Sequence, residues 1–222
     1  MISEKTVELN TTAELLAWLY YVTGITHTAI GPSQRQEAVW GYDVSFHGGS
    51  SAAALIQYKR AYVTGTVWTW KLNRTSRQDQ HARLQFLESL GYPVFYAFPH
   101  FSTPAQLVAL RRRLLVATSW YPPSYIQPPG GSLGHHEVTY DASTGRWRVS
   151  SPEPVDVRPP LTIAAVVQAM EDQARSHMSI EEFAATLNRV MLAADQQFSR
   201  AGDELEAESD LSGQNLLLRH QP

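Results

Sequence analysis

The chain has 222 residues, 43% hydrophobic and 18% charged, with no cysteine and a formal net charge of −3. This length allows one full hydrophobic core plus an appendage, or two small domains, and the missing cysteines exclude disulfides, thiolate zinc sites and a thiol nucleophile. No apolar run approaches the roughly 20 residues of a membrane helix, and no basic segment leads into an apolar stretch at the start, so the expectation is a cytoplasmic protein with no membrane partner.

In chain order, Thr11 and Glu14 form a capping-box pattern that predicts a first helix from about Thr11 to Gly24. Gly31-Pro32-Ser33 predicts a turn, Val39 to Phe46 a strand, His47 to Ser51 a loop, Ala54 to Tyr62 a second strand and Val67 to Leu72 a third. The two tryptophans of Val67-Trp68-Thr69-Trp70 suit a core, and become a stacking platform only if exposed. A helix opens at Ser76, carries the stripe Leu84, Leu87 and Leu90, and stops at Gly91. The continuous apolar run Pro93 to Phe98 reads as a central strand buried on both faces and paired parallel to an earlier one. Thr103 to Leu115 reads as a helix carrying Arg111-Arg112-Arg113. Residues 121–133 read as a loop, and His135 to Tyr140 with Arg146 to Ser150 as a hairpin. The proline-rich stretch 151–160 suggests a linker to two helices, near 161–175 and 179–198. The second of these has an apolar face of Ile180, Phe183, Leu187, Val190 and Ala194.

The chemistry concentrates on the second strand. Side chains alternate along a strand, so Gln57 and Lys59 share a face, and burying such a pair on so apolar a strand requires partners. Asp43, fourteen residues before Gln57, reaches the same site if the two strands pair as a hairpin. An Asp carboxylate, an amide oxygen and a Lys ammonium suit metal-assisted phosphodiester hydrolysis. Asp43 and Gln57 would be the metal ligands, Mg2+ (or Mn2+) the cofactor, and Lys59 the group that positions the attacking water or stabilises developing charge. A plain structural alternative is an edge strand on which Lys59 meets solvent and pairs with Asp43.

Gly41-Tyr42-Asp43 on one strand and Gln57-Tyr58-Lys59 on the next, followed by a helix and a buried strand, resemble the PD-(D/E)XK nuclease superfamily. The resemblance spans about residues 11–100 and uses the QxK variant, in which Gln replaces the usual acid and one carboxylate fewer is available to a metal. It implies a mixed α/β central sheet flanked by helices, a restriction-endonuclease-like core, and hydrolysis of DNA (or RNA) in a role such as bacterial defence or repair. The stretch from Gly41 through the His135-His136 hairpin also resembles bacterial proteins of uncharacterised function. A different class of reading is a catalytically inactive nuclease-like fold that binds nucleic acid or protein. A third is an interaction protein whose rear helices take a partner.

Auxiliary candidates surround the motif. Gln80 lies on the helix face that carries Leu84 and Leu87, with His81 at the border of that face, and Glu37 precedes Asp43 as a further candidate ligand. Gln80 and Glu37 also have ordinary readings: a helix-start glutamine and a solvated glutamate. Arg74, Arg77 and Arg111 are candidates for phosphate contacts. His135 and His136 face opposite ways on one strand and cannot jointly hold a metal.

The expected organisation is a nuclease-like α/β domain over 1–150, a linker over 151–160, a helical pair over 161–200 and an acidic flexible tail over 201–222. Residues 1–150 hold 13 Lys and Arg against 9 Asp and Glu, and residues 151–222 hold 5 against 12. The acidic rear helices are therefore expected to stay away from nucleic acid and to pack as a pair, either on the nuclease-like core or on a partner chain, in a homodimer or with a partner protein.

Overall fold

The computed structural model describes residues 1–33, 36–37, 40–48, 51–75, 78–126, 135–151, 153–174 and Ala185. In chain order the first elements are α1 (Glu4–Thr23), β1 (His27–Ile30), β2 (Val44–Gly48), β3 (Ser51–Tyr58), β4 (Tyr62–Thr64), β5 (Val67–Thr75), β6 (Gln78–Asp79) and α2 (Gln80–Ser89). Then come β7 (Val94–Pro99), α3 (Pro104–Ala109), β8 (Thr118–Tyr121), β9 (His135–Asp141), β10 (Arg146–Ser151), β11 (Glu153–Asp156) and α4 (Ile163–Ala174). The fold is mixed α/β. One sheet has the order β1-β2-β3-β7-β8 and is mixed; the other has the order β11-β10-β9-β5-β4, with β6 paired to β5, and is antiparallel. Among the described residues no helix is long and apolar enough to cross a membrane.

The first helix begins well before Thr11. Ser3 caps it, its hydroxyl accepting from the Thr6 N–H at 3.1 Å, and Gly24 ends it in the left-handed conformation (φ 68°). The Thr11 pattern misleads because Thr11 lies mid-helix on the buried stripe with Val7, Leu15 and Leu19. Glu14 does not cap at all. Its two carboxylate oxygens accept the backbone N–H groups of Leu114 and Leu115, each at 3.2 Å, and so tie α1 to a distant loop.

In the first sheet β1, β2 and β3 form an antiparallel meander, β7 runs parallel to β3, and β8 returns antiparallel to β7. The meander is displaced from its expected position. Its first strand is His27–Ile30, whose short mixed sequence carries little apolar signal, and β2 starts at Val44 rather than Val39. The expected third strand, Val67–Leu72, belongs to the second sheet, where β5 pairs with β4 and β9. By contrast, β7 is buried at every position and central, as a doubly covered strand must be.

Strand alternation sorts the core into two layers. Ala54, Ile56 and Tyr58 of β3, with Phe46, Phe95 and Ala97, pack against α1 and against Val166, Val167 and Met170 of α4. Leu55, Val94, Tyr96 and Phe98 face the other way, toward Leu84 and Leu87 of α2 and toward Trp70, Leu72, Val138, Trp147 and Val149 of the second sheet. Trp70 is fully buried and stacks on Phe98 (5.2 Å between ring centroids) and Trp147 (5.5 Å), so it serves the core.

Three further expectations change. Only Pro104–Ala109 is helical, closed at its start by a Thr103–Gln106 capping box. Arg111 and Arg112 lie in the turn beyond it, with Arg112 at φ 62°. The helix expected from Ser76 begins at Gln80, because Gln78–Asp79 first pairs with Arg74–Thr75. The expected linker contains β11, an edge strand on which Pro154 is tolerated, and Leu161 then bridges to Trp120 of β8. Within the span 161–175 expected to be helical, Ile163–Ala174 form α4, packed on β3's face. The helix expected over 179–198, apart from Ala185, and the tail 201–222 lie outside the described residues.

Because α4 covers the sheet, Met170→Ala should cost about 2–5 kcal/mol of folding stability through the cavity it leaves. Urea denaturation measures this, and an unchanged midpoint would show that α4 does not contribute to the core.

Candidate functional site

Asp43 sits one residue before β2, and its N–H donates to the Ile56 carbonyl at 3.0 Å, which holds it against β3. Gly41 permits the approach of α2. It has φ 81°, and a Cβ there would stand 3.3 Å from the Gln80 carbonyl oxygen and 3.4 Å from Gln80 Cγ. Only glycine accepts that backbone at low cost, so the Gly-Tyr-Asp sequence brings the start of α2 beside Asp43. Lys59 follows directly on β3 and is anchored by its N–H to the Ala97 carbonyl at 3.1 Å.

Asp43, Gln57 and Lys59 are 9%, 1% and 6% exposed, and a single hydrogen-bonded chain links them. Lys59 Nζ donates to Gln80 Oε1 at 2.9 Å, Gln80 Nε2 donates to Gln57 Oε1 at 2.8 Å, and Gln57 Nε2 donates to Asp43 Oδ2 at 2.8 Å. The Tyr58 N–H also donates to Asp43 Oδ2, at 2.7 Å. The chain has a direction. An ammonium has only donors and a carboxylate only acceptors, so both amides between them are oriented the same way. Gln80 is thus the link between Lys59 and Gln57, while among the described residues no direct hydrogen bond joins Asp43 and Lys59.

A residue that sequence reasoning missed completes the site. Glu4, in the first turn of α1, pairs with Lys59 Nζ at 3.8 Å and accepts the Arg60 N–H at 3.2 Å. Its signal was the Ser3–Thr6 cap, which places Glu4 on a helix aimed at the end of β3. Burial pushes the Asp43 carboxyl up to about 7, against the lowering influence of Lys59 and of the Tyr58 N–H, and the charges of Glu4 and Glu37 push it further.

The remaining candidates fall as follows. Glu37 is half-buried; its carbonyl accepts the Gly41 N–H at 2.8 Å and its charge acts on Asp43 from a distance. His81 is buried with Nδ1 3.1 Å from the Tyr96 hydroxyl and its ring stacked on Tyr96, a packing role beside the site. Arg111 is exposed after α3. Arg74 is paired through its backbone to Asp79, with its side chain outside the described residues, and Arg77 lies wholly outside them. His136 is buried opposite Leu72, and His135 lies opposite Asn73.

As a metal site the arrangement is incomplete. Among the described residues no three His, Asp or Glu side chains form a ready cage. The hard-oxygen donors are Asp43, whose Oδ1 takes no hydrogen bond among the described residues, and the nearby Glu4 and Glu37. Gln57 presents its nitrogen to Asp43, so its oxygen becomes a ligand only if the amide turns over. Comparison of the chain with protein-family models, with curated proteins and with solved structures finds no match.

The raised Asp43 pKa has a stability consequence. The unfolded chain releases this proton near pH 4 and the folded chain near pH 7. The group therefore contributes its full stability below pH 4 and loses it as pH rises through 7. Relative to Asp43→Asn, the wild type should lose stability between pH 4.5 and 8, by on the order of 4 kcal/mol at most. Urea denaturation of both proteins across this range reads the difference, and parallel pH curves would show that Asp43 ionises normally.

Proposed function

We propose that this chain is a metal-dependent nuclease that hydrolyses phosphodiester bonds in DNA, built on a restriction-endonuclease-like core. The observation that carries this reading is the buried chain Asp43–Gln57–Gln80–Lys59 at the end of β3. Four polar side chains converge at a sheet end where solvent is largely excluded, an expensive arrangement for stability alone. The element order supports it: a helix, three antiparallel strands, a helix, then a strand parallel to the third, with β4, β5 and β6 inserted before the second helix.

In this reading Asp43 would hold a Mg2+ or Mn2+ ion, Gln57 would add an oxygen if its amide turned over, and Glu4 and Glu37 add negative potential. Such an ion would supply an acidified water and neutralise phosphate charge. Lys59 would orient the attacking water or stabilise the charge that develops on the phosphate. Gln80 is a positioning residue, holding Lys59 until substrate competes for it.

A second reading, an inactive nuclease-like subunit that binds nucleic acid or protein, is favoured by one specific observation. Gln57 offers Asp43 an amide nitrogen where a metal site needs an oxygen.

Incubating the full chain with plasmid, linear duplex, single-stranded DNA and RNA, in Mg2+, Mn2+ or EDTA, separates the two. Metal-dependent cleavage is expected, with Asp43→Ala and Lys59→Ala each reducing it about 100-fold or more while the far-UV spectrum is retained. Wild-type rates in either variant would remove that residue from the reaction. Gln57→Glu restores a charge, so it should lower the Mg2+ concentration needed to raise the thermal midpoint. An unchanged metal titration would show that residue 57 is not a ligand.

A further inference from the structure

We propose that the cavity lined by Glu4, Lys59, Arg60, Tyr62 and Lys71, ≈270 Å3 in volume, is a binding pocket for one backbone phosphate of a nucleic acid, immediately beside the candidate reactive centre. It rests on the nuclease reading only in taking nucleic acid as the source of that phosphate. None of Arg60, Tyr62 and Lys71 belongs to the hydrogen-bonded chain that ends at Asp43.

The β4–β5 hairpin builds the pocket against the end of β3. Tyr62 of β4 carries two cations on its ring. The Arg60 guanidinium carbon lies 4.7 Å from the ring centroid, and Lys71 Nζ of β5 lies 5.0 Å from it. Arg60 Nε also donates to the Tyr62 hydroxyl at 2.7 Å. Two like charges are thus gathered around one aromatic ring, where an anion that joins them eases their mutual repulsion. Among the described residues no protein anion does so. Neither Arg60 nor Lys71 forms an ion pair, and Glu137, opposite Lys71 on β9, does not reach it.

The one carboxylate in the pocket is already engaged. Glu4 spans Lys59 Nζ and the Arg60 N–H, which leaves three cations against one anion. Its position also shows that this corner, a backbone donor beside an ammonium, accepts an oxyanion. At ≈270 Å3 the cavity has ample room for a phosphate group. A guanidinium fork and a point-charge ammonium together match its oxygens.

The test is equilibrium binding of the full chain in EDTA, where no metal-dependent cleavage occurs, to fluorescein-labelled 20-mers of duplex DNA and of RNA. Each probe is prepared with and without a 5′-phosphate, and binding is read by anisotropy over a range of NaCl concentrations. Arg60→Gln and Lys71→Gln should each weaken binding about three- to tenfold and flatten the slope of log Kd against log salt by about one. Arg148→Gln, which removes a surface partner of Asp156, should change neither. Equal affinity with and without the 5′-phosphate assigns the pocket to an internal phosphate, and a loss on dephosphorylation assigns it to a terminal one. If Arg60→Gln fails to fold, Lys71→Gln, altered at an exposed position, decides. Unchanged affinity and slope in the folded variants overturns the pocket, as does a wild type that binds no probe. Cleavage in Mg2+ is scored separately. A chain that binds through these residues but never cuts keeps the pocket and retires the nuclease reading, and a chain that cuts regardless of both substitutions does the reverse.

Discussion

The site depends on one oxygen atom. Asp43 Oδ2 accepts from the Gln57 side chain and from the Tyr58 N–H, so a single buried carboxylate stitches the start of β2 to the end of β3. A group this buried is costly to ionise, and its pKa near 7 measures that cost. The two donors and the Lys59 charge offset it only in part. The rest is carried by the surroundings: the apolar layer on the far face of β3, the close approach that Gly41 permits, and the parallel pairing of β3 with β7 that fixes Gln57 beside Tyr96. Shifting any of these by one residue would place Gln57 and Lys59 on the opposite, α1-facing side of the sheet.

Much of this arrangement could be read from local pattern. Strand period alone put Gln57 and Lys59 on one face, and Gly-Tyr-Asp at a suitable distance supplied the partner. The continuous apolar run at 93–98 identified the central strand. What escaped depends on competition or distance. Thr11–Glu14 is a good local cap, but Ser3–Thr6 starts the helix earlier, and Glu14 finds stronger use on the Leu114 and Leu115 N–H groups a hundred residues away. With the helix start misplaced, Glu4 could not be connected to Lys59. β1 was missed because His27–Ile30 alternates between half-buried and exposed positions with its one large apolar residue, Ile30, on an exposed one, so no apolar alternation marks it, and that error moved the meander one strand along the chain.

The Arg60–Tyr62–Lys71 group was illegible for a different reason. Arg60 and Tyr62 lie close in sequence, but Lys71 reaches the same ring only because the β4–β5 hairpin turns back at Thr64–Val67. The same hairpin leads into the aromatic layer through Trp70, so one segment contributes both to the core and to the rim of the site. This coupling gives β4 and β5 a contribution beyond covering the first sheet. They bring Tyr62 and Lys71 to the edge of a site whose hydrogen-bonded chain holds a single carboxylate, Asp43.

The direction of the amide chain constrains any chemistry at Asp43. Gln57 cannot donate to Asp43 and offer an oxygen on the same side at once. If its amide turns over, Gln57 loses its 3.1 Å bond from Nε2 to the Tyr58 carbonyl, its nitrogen faces Gln80, and Gln80 must turn in response to present an oxygen. The Gln80 nitrogen then faces Lys59, which has only donors, and that contact must break. Recruiting the Gln57 oxygen toward Asp43 and releasing Lys59 from Gln80 are therefore one event, imposed by the fixed donor and acceptor ends of the chain. Lys59 is held by Gln80 and only loosely by Glu4, at 3.8 Å, and it borders the pocket that Arg60 and Lys71 line. The two amides can thus change direction only together, and Lys59 must move when they do.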